Sequence, residues 1–403
     1  MQFDVVVAGG GPGGSILAGR LAAHGRRVLV LERERFPRFH LGESLLPQSM
    51  PILKAMGCLD EAVDRFIVKR GARFHDDGGR TSRYDFSDAF DRKATFALQV
   101  PRDEFDALLL RRAAELGAEV REGWSVDRIV FDRGRATGVE ATDPHGDAHA
   151  IDARFVVDAT GRDALHAHAT RATTKVPHLD KTALFSHFTN AWRDEGEHAG
   201  DIQIALFPAG WIWFIPFKDG RTSVGAVVSS EWMKGRRPGE TVDALYRRAL
   251  GESAVAARLL EGATQTFPAG AAADFSFRVR DLAGDGWLAV GDSGGFIDPL
   301  FSTGAHLAMY GALHGADAVH ASLAAEDVSV DRFAEWAAAM RRGADMFLGS
   351  VQAFYAGTLT DYIFADKPHP FLRRAITSML SGDVFDEGAR WAKEMRARFP
   401  PTA

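Results

Sequence analysis

The sequence has one cysteine in 403 residues, Cys58, which excludes an internal disulfide and suits a reducing compartment. No apolar run approaches the roughly 20 residues that a membrane span needs. Positive charge is not in excess, because 48 Lys and Arg residues stand against 54 Asp and Glu residues, for a formal net charge of -6. We therefore expect a soluble, cytoplasmic protein that binds neither nucleic acid nor a membrane.

A chain of 403 residues is too long for one ordinary hydrophobic core, so we expect two domains or one large one. Its 46% hydrophobic and 25% charged residues are typical of a globular protein. We find no internal repeat and no low-complexity linker, so the parts should form one rigid body.

The first 32 residues predict a βαβ unit that binds a dinucleotide. An apolar stretch at 4–8 predicts a buried strand, 15–24 has helical spacing, and 28–31 predicts a second strand that ends at Glu32. The N-terminus of the helix would offer free N–H groups and partial positive charge to phosphates. Glu32 would accept hydrogen bonds from a ribose hydroxyl pair.

Between the first strand and the helix lies a G-x-G-x-x-G pattern made by Gly9, Gly11 and Gly14. Gly9 permits the tight turn, Gly11 lets a pyrophosphate approach the backbone, and Gly14 lets helix and strand pack closely. Arg33, the first of a basic cluster after the second strand, is a candidate cofactor-binding neighbour of the phosphates.

The rest of the chain predicts a discontinuous α/β organisation. We expect a helix at 105–116, a hairpin turn at 218–221, a helix at 241–260, a last buried strand at 287–290 and helices after 304. The predicted parts are a nucleotide-binding domain (1–67, 96–170 and 275–325), an inserted β-rich substrate domain (68–95 and 171–274) and a helical C-terminal region (326–403).

Asp292 follows the predicted strand at 287–290 and could bond a second ribose or a ribityl chain, so the ligand is longer than one nucleotide half. With residues 159–161 (Ala-Thr-Gly), this pattern resembles the Rossmann-like FAD-binding domain of single-component flavoprotein monooxygenases and their relatives, of the glutathione reductase and p-hydroxybenzoate hydroxylase type. The resemblance implies FAD as cofactor. Arg102 matches a position that commonly contacts the flavin in that group.

Four separate segments resemble the flavin-dependent halogenases more closely. They are residues 210–216 (Gly-Trp-Ile-Trp-Phe-Ile-Pro, the W-x-W-x-I-P motif), 40–47 (His-Leu-Gly-Glu-Ser-Leu-Leu-Pro), 69–72 (Lys-Arg-Gly-Ala) and 298–304 (Asp-Pro-Leu-Phe-Ser-Thr-Gly). In that family a separate flavin reductase supplies reduced FAD, which with O2 and chloride or bromide yields hypohalous acid. Lys69 matches the lysine that relays this species to an electron-rich ring. Backbone N–H groups of Thr303 and Gly304 would bind the halide beside the flavin.

The resemblance also implies residues that control access of the substrate to the flavin: Trp211, Trp213, Pro216 and Phe301. Tryptophan halogenases carry a glutamate where this chain has Phe301, which favours a self-activated phenol or pyrrole, either free or bound to a carrier protein. Residues 74–78 lack the tryptophan expected after Lys69.

Three readings stay open. The first is halogenation; the second is an FAD-dependent monooxygenase that hydroxylates or epoxidises its substrate directly; the third is a non-oxygenating FAD reductase. The indoles could be plain core, and Lys69 could be a surface lysine. His40 and His306 are packed or solvated histidines in our interpretation. We expect no metal site, and the sequence does not distinguish a monomer from a homodimer.

Overall fold

The computed structural model describes residues 3–273 and 275–402. Its strands are β1 (Phe3–Ala8), β2 (Val28–Glu32), β3 (Ile67–Lys69), β4 (Gly71–His75), β5 (Thr81–Asp85), β6 (Ala97–Gln99), β7 (Glu119–Glu122), β8 (Ser125–Asp132), β9 (Arg135–Thr142), β10 (Ala148–Asp158), β11 (Thr173–Lys175), β12 (Lys181–Thr189), β13 (Ile202–Phe207), β14 (Gly210–Pro216), β15 (Arg221–Ser229), β16 (Thr264–Gln265), β17 (Gly270–Ala273), β18 (Phe277–Val279), β19 (Ala283–Gly284), β20 (Trp287–Ala289) and β21 (Gly295–Phe296).

The helices are α1 (Pro12–Ala23), α2 (Met50–Ala55), α3 (Leu59–Arg65), α4 (Arg102–Glu115), α5 (Leu165–Ala169), α6 (Ser230–Lys234), α7 (Val242–Gly251), α8 (Ala254–Leu259), α9 (Thr303–Ala324), α10 (Ala334–Tyr355), α11 (Thr358–Ile363), α12 (Pro370–Leu380) and α13 (Arg390–Arg398). Among the residues that the structure describes, no helix is long and apolar enough to cross a membrane.

The first large sheet has the order β19-β20-β10-β1-β2-β7, and β20, β10, β1, β2 and β7 run parallel. β1 and β2 are apolar along almost their whole length because the central strands of such a sheet are buried on both faces. α1 packs against α4 and α9. An antiparallel meander of β8, β9 and β10 joins the same sheet. The predicted Rossmann-like α/β fold is confirmed.

The second large sheet has the order β16-β12-β15-β14-β13-β4-β5. Along β14 the side chains alternate: Trp211, Trp213 and Ile215 join the main core, whereas Ile212 and Phe214 join a cluster with α7 and α8. β14 and β15 form the predicted hairpin around 218–221. One face of this sheet is therefore covered by helices, and the other is turned toward the first sheet.

Two local predictions are wrong. The helix expected at 241–260 is two helices, because Ser253 interrupts it and its side chain accepts a hydrogen bond from the Ala256 N–H as the N-cap of α8. The single antiparallel segment expected from residue 68 onward is split at Arg70. β3, which carries Lys69, pairs with β6 in a separate two-stranded sheet, while β4 and β5 join the second large sheet. The division into three domains stays a prediction.

Candidate functional site

A cavity of about 460 Å3 is lined by residues from both large sheets. Most of the predicted site residues line it, namely Gly9, Gly11, Glu32, Arg33, Arg102, Trp211, Trp213, Asp292, Thr303 and Gly304. Gly14, Lys69, Pro216 and Phe301 are not among the lining residues. The fold thus brings together segments that lie up to 295 positions apart, between Gly9 and Gly304.

The three glycines of the N-terminal motif differ in what surrounds them. Gly9 has a φ of +106°, and a Cβ there would lie 2.3 Å from the Ala159 carbonyl oxygen. A Cβ at Gly14 would lie 2.0 Å from the Gly9 carbonyl oxygen. At Gly11 the nearest atom, an Arg38 nitrogen, would be 3.6 Å away. At Gly9 and Gly14 any larger residue would collide with the backbone, so the fold requires glycine there. At Gly11 a larger residue would fit the protein but would occupy space at the cavity wall.

α1 begins directly after Gly11, and no side chain caps it. Its first N–H groups have no partner within the helix, so this end of the cavity can bind phosphate. Glu32 is buried beside it, with Oε2 accepting from the Gly10 N–H at 2.7 Å and Oε1 accepting from the Glu34 N–H at 2.9 Å. Arg33 is exposed at the cavity wall and forms an ion pair with Asp163.

A buried group of charges forms another part of the wall. Arg102 donates from Nε to Asp106 Oδ1 at 2.7 Å and from NH1 to the Leu41 carbonyl oxygen at 2.5 Å. Arg38 donates to the other oxygen of Asp106 at 3.1 Å. Burial raises the pKa of Asp292 to about 6, and the Arg102 guanidinium opposes that shift. Arg102 therefore holds the loop at Leu41 as well as facing the cavity.

The indoles of Trp211 and Trp213 lie on the cavity face of β14, with ring centroids 5.9 Å apart. Trp213 Nε1 donates to Ser223 Oγ at 3.1 Å. Gly225 is the register partner of Trp213 on β15, and a Cβ there would lie 2.0 Å from the Trp213 ring. Trp213 thus packs against β15 at a point where that strand has no side chain, whereas Trp211 pairs with Val227.

Pro216 and Phe301 are buried and do not line the cavity. Pro216 ends β14 opposite Thr222. The Phe301 ring is 3% exposed and packs edge-on against Phe354, with centroids 6.0 Å apart. The predicted role of each residue in access of the substrate to the flavin stays a prediction.

Thr303 and Gly304 form the first turn of α9. The preceding residue, Ser302, has a φ of +58°, and no side chain caps the helix. The N–H groups of this turn have no partner within the helix, so they can bind an anion at the cavity wall. A Cβ at Gly304 would lie 3.0 Å from the Phe296 ring, so a larger residue there would require that ring to shift.

Lys69 is 2% exposed, so it is not a surface lysine. Its Nζ donates to Ser44 Oγ at 2.9 Å and to the Leu45 carbonyl oxygen at 3.2 Å, and it lies 5.3 Å from the centroid of the Phe86 ring. Burial lowers the pKa of Lys69 to about 7. Ser44 lines the cavity and Lys69 does not, so the amine contacts the cavity wall through its hydrogen bond to Ser44.

Sequence reasoning missed several polar residues around the cavity. Glu43 lines it and its Oε1 lies 2.8 Å from His187 Nε2, with both side chains buried. Tyr355, at the end of α10, contacts Trp211. Glu43 stands inside one of the four matching segments, which is a signal, but nothing in the sequence marks His187 or Tyr355. Within residues 3–273 and 275–402, no group of three or more His, Cys, Asp or Glu side chains could hold a metal ion.

Comparison with known proteins gives one consistent family. A family model described as tryptophan halogenase matches residues 4–92 and 87–364. Tryptophan 2-halogenase of Chondromyces crocatus is 36% identical over 80% of this chain and 62% of its own. The 1H-pyrrole-2-carbonyl-(peptidyl-carrier protein) chlorinase of Pseudomonas fluorescens is 29% identical over 95% of this chain and 90% of its own. The chain thus spans less than two thirds of the first relative.

Two solved flavoprotein structures share the fold. A flavoprotein/dehydrogenase from Cytophaga hutchinsonii superposes with a TM-score of 0.91 and 29% identity, over 99% of this chain and 97% of that one. The myxobacterial chondrochloren halogenase, described as a variant of FAD-dependent halogenases, superposes with a TM-score of 0.82 and 33% identity, over 98% of this chain and 89% of that one. The fold is therefore shared over nearly the whole chain.

Proposed function

The chain belongs to the flavin-dependent halogenase family, and on that premise we propose that it halogenates an electron-rich aromatic ring with reduced FAD, O2 and chloride or bromide. The observation that carries the proposal is the composition of one cavity. The dinucleotide glycines, the first turn of α9 and the indole pair all line it, and Lys69 contacts it through Ser44.

The residues present fit FAD. Gly11 leaves open space at the cavity wall, and the uncapped start of α1 beside it suits a pyrophosphate. Glu32 at the end of β2 and Asp292 in the turn after β20 line the same cavity, as two ribose or ribityl hydroxyl groups require. When bound, reduced FAD would supply the electron pair that brings O2 to the peroxide level, the oxidation state that converts halide to hypohalous acid with release of water. Gly9 and Gly14 would shape the turn, and Arg33 and Arg102 would supply positive charge.

The halide would bind at the backbone N–H groups of Thr303 and Gly304. These groups carry the partial positive charge of the start of α9 and have no partner within the helix. Trp211 and Trp213 would keep the organic substrate away from this end of the cavity, so that halide is oxidised in preference to the ring. Pro216 and Phe301 would contribute to this control of access without lining the cavity.

Lys69 would receive or hydrogen-bond the hypohalous acid and present it to the ring. A pKa near 7 provides both protonation states at neutral pH: the ammonium donates hydrogen bonds, and the free amine is a nucleophile. Burial beside Phe86 protects this group from water. Ser44, through which Lys69 contacts the cavity wall, would be the first group that the oxidant meets.

The substrate that we propose is a phenol or a pyrrole, because Phe301 offers no carboxylate to activate a poorer ring. A carrier-bound pyrrole is the substrate named for the Pseudomonas relative, which this chain covers over 90% of its length. A separate flavin reductase would supply reduced FAD. A cytoplasmic location suits the single cysteine, Cys58, and either a monomer or a homodimer is consistent with the sequence.

The test is an assay of the purified protein with FAD, a flavin reductase, NADH, O2 and bromide on a panel of phenols, indoles and pyrroles, free and carrier-bound. Mass spectrometry should show a bromine isotope pattern that disappears in Lys69→Ala and persists in Lys234→Ala, an exposed lysine paired with Glu231. Addition of one oxygen atom regardless of halide would instead establish the monooxygenase, and NADH-dependent substrate reduction without O2 would establish the reductase.

A further inference from the structure

A chain of hydrogen bonds runs from the indole wall into the C-terminal helices. Trp211 Nε1 donates to the Tyr355 hydroxyl oxygen at 2.9 Å, and that hydroxyl donates to Asp298 Oδ2 at 3.0 Å. Asp298 Oδ1 accepts from the Leu300 N–H at 2.9 Å. The Tyr355 hydroxyl is thus used once as an acceptor and once as a donor, and it joins β14 to the turn that precedes α9.

This chain lies behind the cavity. Trp211 lines the cavity, whereas Tyr355 and Asp298 do not, so the bond leaves the indole at an edge turned away from the cavity. Trp211 is 1% exposed and Asp298 is fully buried. If the Tyr355 hydroxyl is removed, bulk water therefore does not reach these two groups to replace its hydrogen bonds. Thr303 follows Asp298 by five residues in the same segment.

We propose that Tyr355 is a positioning residue that fixes the Trp211 indole and the segment before α9 in one arrangement. One hydroxyl group of α10 thus fixes the position of the indole wall relative to the first turn of α9, which can bind an anion. These are the two features that would keep halide and organic substrate apart. The consequence for access rests on the proposed function; the positioning itself does not.

The surroundings of Tyr355 favour this arrangement. Burial raises the pKa of Tyr355, so the hydroxyl keeps its proton and remains a donor toward Asp298. Lys181 Nζ lies 4.5 Å from the centroid of the Tyr355 ring, a cation–π distance that holds the ring from the side of β12. A phenylalanine in this position would keep the ring contacts and lose only the two hydrogen bonds.

The positioning is tested in the cofactor-free protein labelled with 5-fluorotryptophan. The eight tryptophans give separate 19F resonances, and Trp211→Phe assigns the one that belongs to Trp211. In Tyr355→Phe that resonance should shift and broaden. The matched control is Tyr362→Phe, which removes a hydroxyl that accepts from Arg398 at 2.8 Å on the surface and should leave the resonance unchanged. An unchanged Trp211 resonance in Tyr355→Phe would overturn the proposal.

The consequence for access is tested with the loaded enzyme. In Tyr355→Phe the ratio of halogenated product to O2 consumed should fall about fivefold, the effect expected from losing the Trp211 hydrogen bond, which is the one of the two that holds the indole, while the dissociation constant for FAD stays within about twofold. A loss of FAD binding with an unchanged ratio would mean a merely structural role and would contradict the proposal. Absence of halogenated product from the wild-type protein would overturn the proposed function and the access consequence, and the 19F measurement would still decide the positioning.

Discussion

Lys69 Nζ lies 2.9 Å from Ser44 Oγ, and of these two residues only Ser44 lines the cavity. The amine that we propose as the acting group therefore does not line the cavity itself but donates a hydrogen bond to a residue that does. Burial lowers the pKa of Lys69, and an acceptor for an N–H donor opposes that shift because it favours the charged form. A change at Ser44 should therefore alter the pH at which Lys69 loses its proton.

Ser44→Ala should shift the pH dependence of kcat. Removing the acceptor from Nζ should lower the pKa of Lys69 below its value of about 7, so the limb of the profile that belongs to Lys69 moves to lower pH. Ser44→Thr keeps the hydroxyl and should retain the wild-type profile. A profile that is identical in the Ala and Thr variants would contradict the link between the two residues.

Lys69 should make the stability of the protein depend on alkaline pH. Between pH about 7 and 10.5 the unfolded state binds a proton that the folded state has lost, so the free energy of unfolding should rise with pH in this window, by up to about 1.4 kcal/mol per pH unit. Lys69→Met has no such proton and should show a flatter curve. Urea denaturation at pH 7, 8 and 9 measures both, and parallel curves would mean that Lys69 is not buried as a neutral amine.

Gly11→Val should lose FAD binding, whereas Gly14→Ala should lose stability. Gly11 has space toward the cavity, so its variant should fold with a normal melting temperature and lose FAD, because the side chain occupies the place of the pyrophosphate. Gly14 has a carbonyl oxygen 2.0 Å from the site of a Cβ, so its variant should be destabilised by about 3 kcal/mol or more. Calorimetry and flavin absorbance separate the two effects, and stoichiometric FAD in Gly11→Val would refute the placement of the pyrophosphate.

Gly225→Ala should displace the Trp213 indole. A methyl group there would lie 2.0 Å from the ring, so the indole must move away from the strand or into the cavity. We expect weaker FAD binding and less halogenated product for each O2 consumed. Gly251→Ala, at the end of α7, has nothing within 4 Å of the added methyl and serves as the control. Equal FAD affinity in the two variants would mean that the cavity tolerates a moved Trp213.

The sequence by itself determined the dinucleotide unit, because its evidence is local. Strand, glycines, helix, strand and acid follow one another within 32 residues, and each has a fixed conformational requirement. The order of elements around Gly9 and Glu32 is therefore as predicted. The break at Ser253 was missed, since helical spacing on both sides hides a single N-cap residue.

Only the tertiary structure decided which residues of the matched segments line the cavity and which do not. Trp211 and Phe301 both belong to matched segments, but strand alternation brings one to the cavity wall while packing against Phe354 buries the other. The partners Ser44 of Lys69 and Tyr355 of Trp211 lie 25 and 144 positions away in the chain. Hydrogen bonds at such separations depend on where whole helices and sheets pack, and periodicity along a chain carries no record of that.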